Sequence, residues 1–221
     1  MKLKLLITSL IIAISLSTFA QQKDTLYFNI DGRDTTAAHA AFYRVRTRQG
    51  AGWQVTDYSL NHKPQMTGAF SDDSCKIRQG EWIGYYHNGQ IAGDVVYEND
   101  KQVSGKFFND DGSKNKKVKE FIRESEYPGG AAQWLRYLNK TLKYPDNAFK
   151  NKIEGTVVVQ FIVDEDGNPV SIKVIKPVNA ELDAEAVRVI SESKDWVPAV
   201  YGGRVVKSYK RQPIVFKLPK S

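Results

Sequence analysis

Few side chains in this sequence are spaced for covalent or metal chemistry. Its three histidines, His39, His62 and His87, are widely separated, and none is paired at a zinc-ligand spacing. The sequence contains no nucleophile elbow, phosphate-binding loop or zinc-helix motif. Asp164-Glu165-Asp166 clusters three carboxylates immediately before Gly167. A calcium loop would need more oxygen ligands at alternate positions, so the natural reading is a polar turn. The single cysteine, Cys75, has no partner for an internal disulfide and no neighbouring histidine or helix start to activate its thiol. It reads as a small buried residue. No catalytic set, cofactor site or metal site follows, and an enzyme is the least supported class.

The remaining chemistry is that of binding, and it concentrates at the C-terminal end. Ile214, Phe216 and Leu218 share one face of an extended segment, while Val215 and Lys217 share the other. Pro213 lies within this segment and cannot donate a ladder hydrogen bond, which places the strand at a sheet edge or bulge. Arg204, Lys207, Lys210, Arg211, Lys217 and Lys220 add six positive charges, with no acid among residues 204–221. Two explanations fit a basic edge: lysines that protect it from aggregation, or an edge left open for an incoming strand. An open edge also allows an edge-paired homodimer.

Positioning such a strand is the task of the rest of the chain. Of its 221 residues 41% are hydrophobic, and eleven Tyr, ten Phe and four Trp favour strand-rich structure. Lys2 and Lys4 precede an almost wholly apolar run from Leu5 to Leu16, and Ser17-Thr18-Phe19-Ala20 follows. This reads as a secretory signal, residues 1–20, cleaved before Gln21. The run is short of the about 20 apolar residues that span a bilayer; retained uncleaved, it would be an inner-membrane anchor. Removing the signal lowers the formal charge of +7 by its two lysines and leaves the chain mildly basic. No basic-aromatic nucleic-acid motif appears, and nucleic acid is not expected as a partner.

Residues 21–112 carry turn signals and a repeat. Gly68-Ala69-Phe70, Gly80-Glu81-Trp82, Gly93-Asp94-Val95 and Gly105-Lys106-Phe107 begin at steps of 12, 13 and 12 residues. The spacing predicts an antiparallel β-meander. Tyr85-Tyr86-His87-Asn88-Gly89 also matches Phe107-Phe108-Asn109-Asp110-Asp111-Gly112, and residues 68–112 resemble MORN-like hairpin repeats. Residues 113–126 are densely charged and read as a solvated linker.

From residue 127 to 221 helix and strand alternate. A helix after Pro128-Gly129-Gly130 is expected to bury Trp134, Leu135, Leu138 and Leu142, and a short helix spans about 146–152. A hairpin follows, with Val157, Val159, Phe161 and Val163 on one face, Asp166-Gly167 at the turn, and Val170, Ile172 and Val174 on the return. A helix over about 183–193 faces Leu182, Ala186, Val189 and Ile190 inward, and a last strand runs from about 204 to 218. The expected fold is α+β: a β-meander domain, then a small domain with a three-stranded antiparallel sheet and helices on one face.

The motifs Tyr127-Pro128-Gly129-Gly130, Tyr144-Pro145, Ile153-Glu154-Gly155, Asp166-Gly167, Leu182-Asp183, Trp196-x-Pro198-Ala199 and Pro213-Ile214-Val215-Phe216-x-Leu218 occur in order. Together, residues 127–218 resemble the TonB C-terminal domain, in the form common in Bacteroidetes-type bacteria. The resemblance implies a periplasmic domain that takes the peptide segment of a TonB-dependent receptor, or of another envelope protein, as an added strand. It implies contacts at Tyr144, Pro145, Lys210, Arg211, Gln212, Pro213, Ile214, Val215, Phe216 and Lys217. The chain departs from the family's energy transducers in lacking a proline-rich spacer, with only Pro64 between residues 21 and 126. The expected function is therefore partner binding. A membrane-anchored transducer and an envelope protein that binds through its β-repeats are the alternatives.

Overall fold

A computed structural model describes residues 22–29 and 33–218; the expected signal segment lies outside the described residues. Within them no helix is long and apolar enough to cross a membrane. The fold is α+β.

Seven strands, β1 (Lys23–Phe28), β2 (Phe42–Gln49), β3 (Gly52–Ser59), β4 (Pro64–Phe70), β5 (Arg78–Tyr85), β6 (Ile91–Glu98) and β7 (Lys101–Phe107), form one antiparallel sheet in sequence order. Alternation sets its inner face: Trp53, Val55, Asp57 and Ser59 of β3 are all buried. Trp82 is completely buried, with its indole N–H donating to Ala69 O at 3.2 Å and its ring edge-on to Phe70 and Phe121. The repeated glycines make this packing fit. A methyl on Gly68 would sit 2.1 Å from the Trp82 ring. Gly80, at φ +72°, occupies the bulge where β5 slips against β4.

The matched turns are also real structural equivalents. Tyr86 N–H donates to Gln90 O and Asn109 N–H to Ser113 O. The two turns are bonded to each other, with Tyr86 OH donating to Phe108 O and Asn88 Nδ2 to Asp110 O.

The charged segment after β7 does not hang in solvent throughout. Val118 is 4% and Phe121 0% exposed, both inside the meander's core. Gln102 of β7 fastens this strap by donating to Lys119 O at 3.0 Å and accepting from Phe121 N–H at 2.9 Å. Two apolar residues in a run of charges are a weak sequence signal, which explains the solvated reading. Beyond it lies the short β8 (Ile122–Arg123).

The C-terminal unit comprises α1 (Gly130–Thr141), α2 (Asp146–Lys150), β9 (Gly155–Val163), β10 (Pro169–Lys176), α3 (Ala180–Glu192), β11 (Ala199–Tyr201), β12 (Arg204–Val206) and β13 (Ser208–Phe216). Its main sheet is antiparallel, in the order β10-β9-β13. Val157, Val159, Phe161 and Val163 of β9 and Ile214 and Phe216 of β13 pack with Trp134, Leu182, Ala186, Ile190 and Trp196 in one core. Asn179 starts α3 by accepting from Glu181 and Leu182 N–H, three residues earlier than the periodicity suggests.

Three details differ from expectation. Leu135 is 59% exposed, so α1 inserts Trp134 and lays Tyr137 and Leu138 against the core, with Leu142 following at its end. Val170 is also exposed, because a bulge with Ser171 at φ +53° breaks the alternation of β10. The single last strand expected over residues 204–218 is two strands in two sheets. β12 pairs with β11, which pairs in turn with β8, whereas β13 pairs with β9.

The β11–β12 hairpin turns at Gly202-Gly203 and docks on the meander. A methyl on Gly84 would lie 1.8 Å from Gly202 O, and one on Gly203 would lie 2.8 Å from Gly93 Cα. Main chain meets main chain here, and any side chain would hold the two units apart.

Candidate functional site

The site is built on β13. Among the described residues its one strand neighbour is β9, so its other side is open. The register is unbroken from Ser208↔Val163 to Phe216↔Gly155. In an antiparallel ladder, alternate residues direct both backbone groups toward the partner or away from it. Pro213 has no N–H to give to β9, so its position belongs to the outward set. By the same parity Tyr209 and Val215 present N–H and C=O on the open side. Their side chains are 40% and 57% exposed.

The predicted contact residues fall into two groups. At the C-terminal end, the Tyr144 ring stands edge-on to Phe216 at 5.7 Å and to Phe149 at 5.8 Å. The Tyr144 hydroxyl donates to Ile153 O at 2.6 Å, which fixes the ring and turns the adjoining Pro145 into α2. Desolvation, with some help from Glu154, holds this phenol above its usual pKa, so it stays a neutral donor. Phe149 is half exposed beside it, and Lys217 follows the end of the strand. Ile214 and Phe216 are buried and serve the core, and their parity turns their backbone groups toward β9, so neither offers a contact on the open side.

Lys210 and Arg211 lie toward the other end of β13 and Gln212 at its middle; the nine-residue strand is about 26 Å long. Arg211 Nε donates to Gln160 Oε1 at 3.2 Å. Lys210 and Gln212 share the helix-side face with Ile214, and Arg211 and Val215 the opposite one. Tyr144 and Pro145 are thus brought to one end of the strand only.

The sequence reading missed what lies at the other end. There β8, β11, β12 and the start of β13 face the meander across a cleft of about 590 Å³. Arg204 lines it and is only 8% exposed, yet its Nε has no hydrogen-bond partner. Burial pulls its pKa below the ordinary arginine value, opposed by Tyr201 and Tyr86. Arg123 also lines the cleft; its Nη2 donates to Pro198 O at 3.0 Å and its Nη1 reaches Glu120 Oε1 at 3.5 Å, while its Nε is unpartnered. The available signal is the basic run from Arg204, which by itself reads as a strand edge.

Behind the cleft lies a buried charge cluster. Arg44 donates to both oxygens of Asp57, at 2.6 and 2.9 Å, and Asp57 is wholly buried. The Tyr201 hydroxyl reaches across from the C-terminal unit and donates to Asp57 Oδ2. Burial acts to lower the Arg44 pKa, but the hydrogen bonds and charge of Asp57 outweigh it and raise it. Burial first, and then the Asp57 charge, push the Tyr201 phenol well above its ordinary 10.0. An unfolded chain therefore ionises this tyrosine first as pH rises. The stability Tyr201 contributes is complete below pH 10 and is lost above it, toward the higher folded value. Urea unfolding followed from pH 8 to 11 is expected to show a decline at the alkaline end that is smaller in Tyr201→Phe. Equal declines in both proteins would contradict this assignment.

The histidines are dispersed: His62 Nδ1 is 2.7 Å from Tyr43 OH, His39 ends a single 3-10 turn, and His87 sits in a hairpin turn. Cys75, at φ +55°, is partly buried against the meander core, with Arg46 Nη1 at 3.8 Å from its sulfur, and so is less enclosed than the buried residue expected.

Residues 140–218 match the family described as Gram-negative bacterial TonB protein C-terminal. Among solved structures, the NMR solution structure of Helicobacter pylori TonB-CTD (residues 179-285) is similar at 24% identity. The match covers 42% of this chain and 89% of that one, with a TM-score of 0.33. Among curated proteins nothing matches the chain.

Proposed function

We propose that this chain acts in the periplasm as a binding protein for an extended peptide, a segment of a TonB-dependent outer-membrane receptor or of another envelope protein. The peptide pairs with the open side of β13. The family match over residues 140–218 supports a TonB-type envelope protein. The observation that carries the docking mode is the edge itself, a nine-residue strand paired on one side, with Pro213 on its outward parity. Backbone donors at Tyr209 and Val215 would bond the peptide, and Tyr144 with Phe149 would pack against its end. Strands β1 to β7 form one sheet instead of an extended spacer, which favours binding over long-range transduction.

The reading is tested with the secreted chain, synthetic peptides from receptor segments, and the variant Val215→Pro. This substitution removes an outward donor without touching the β9 ladder, so the fold should persist while affinity falls about tenfold. Titration calorimetry measures it. A peptide that binds both proteins equally, or an edge that only pairs with a second copy of itself in sedimentation, would rule the reading out.

A further inference from the structure

The cleft beside the start of β13 has the makings of a second binding site, distinct in its chemistry from strand addition although Tyr209 and Arg211 border both. Its floor holds a guanidinium that is more than nine-tenths buried and has an unpartnered Nε, and Arg123 brings a second such nitrogen. Arg33, Lys207 and Arg211 also line the cleft, against Glu124 as the one carboxylate among its described residues. A buried cation without a counter-charge is costly, and buried charges are ordinarily paired, so an anionic group in the cleft would relieve this one. The walls are apolar and aromatic, from Phe42, Ile122, Val200, Tyr201, Val206 and Tyr209. The volume is that of a small-molecule pocket.

We propose that this cleft binds a carboxylate carried on an apolar body, with Arg204 as the principal partner of the carboxylate and Arg123 as the second. The meander supplies Arg33 and Phe42 and the C-terminal unit supplies Arg204 and Tyr209, so the ligand bridges the two. The carboxylate can belong to a small aromatic or aliphatic acid or to the free C-terminus of a peptide chain. No covalent step is involved.

The experiment uses the secreted chain with matched probes: phenylpropionate against its uncharged amide, and a short peptide ending in Phe with a free or an amidated terminus. Binding is read by amide chemical shifts and thermal unfolding. At least one carboxylate is expected to bind ten or more times tighter than its amide, about 1.4 kcal/mol, and to raise the unfolding midpoint. The small acid alone showing this preference identifies a metabolite-type ligand; the peptide alone identifies a chain end. Arg204→Gln should abolish the preference, while Arg204→Lys should retain part of it. Should Arg204→Gln fail to fold, the acid–amide comparison on the unaltered chain decides by itself. Equal affinity of acid and amide for both probes overturns the proposal. So does a preference that survives unchanged in folded Arg204→Gln. Neither result bears on Val215→Pro, so the two readings fail separately.

Discussion

Replacing Asp57 by alanine is expected to destabilise the chain by about 3–5 kcal/mol, measured by urea unfolding near neutral pH. The carboxylate is wholly buried and accepts from Arg44 at 2.6 and 2.9 Å and from the Tyr201 hydroxyl. Its removal strands the Arg44 guanidinium, whose side chain is only 14% exposed, between Phe28 and Phe70, each 5.4 Å away. Faces of aromatic rings offset only part of that charge. The loss should fall on both units, because Tyr201 belongs to the hairpin that crosses to the meander. A change below about 1 kcal/mol, the scale of an exposed ion pair, would show that the cluster is solvated and replaceable.

The second large effect belongs to the other core. Trp196→Ala is expected to cost about 3–5 kcal/mol, the range for truncating a large buried aromatic. Its ring is 3% exposed and lies 5.1 to 5.5 Å from the rings of Phe161, Tyr127 and Trp134. The indole N–H donates to the Ser193 hydroxyl at 3.0 Å, which itself donates to Ile190 O. Truncation leaves a void beneath α1 and an acceptor without its donor. Far-UV circular dichroism during thermal unfolding should show the drop, and Trp196→Phe should recover much of it. An unchanged midpoint for Trp196→Ala would mean that α1 collapses into the space at no cost.

The C-terminal sheet was legible because its residues obey one period each. Val157, Val159, Phe161 and Val163 are all fully buried, and Leu182, Ala186, Val189 and Ile190 face the core as their spacing requires. The glycine repeat likewise announced a meander, since close packing of Trp82 on Gly68 needs a missing side chain. Failures came where tertiary contacts override local pattern. Leu135 fits a helical stripe but has no opposing surface. Residues 204–218 read as one strand because nothing local marks the change of sheet at Lys207. Phe121 and Asp57 are buried by partners distant in sequence, Gln102 and Tyr201 among them. The cleft was invisible for the same reason: Arg204 looks like one more surface cation until β11 and the meander enclose it.

Only Lys207 separates β13 from the hairpin whose glycines sit against the main chain of β5 and β6. That single-residue joint makes the open edge part of a mounted assembly. A pull along β13 meets nine residues of ladder loaded in shear on one side, and a seated hairpin directly behind its first residue. The strand is thus anchored at its base as well as along its flank, with the seven-stranded sheet as its footing.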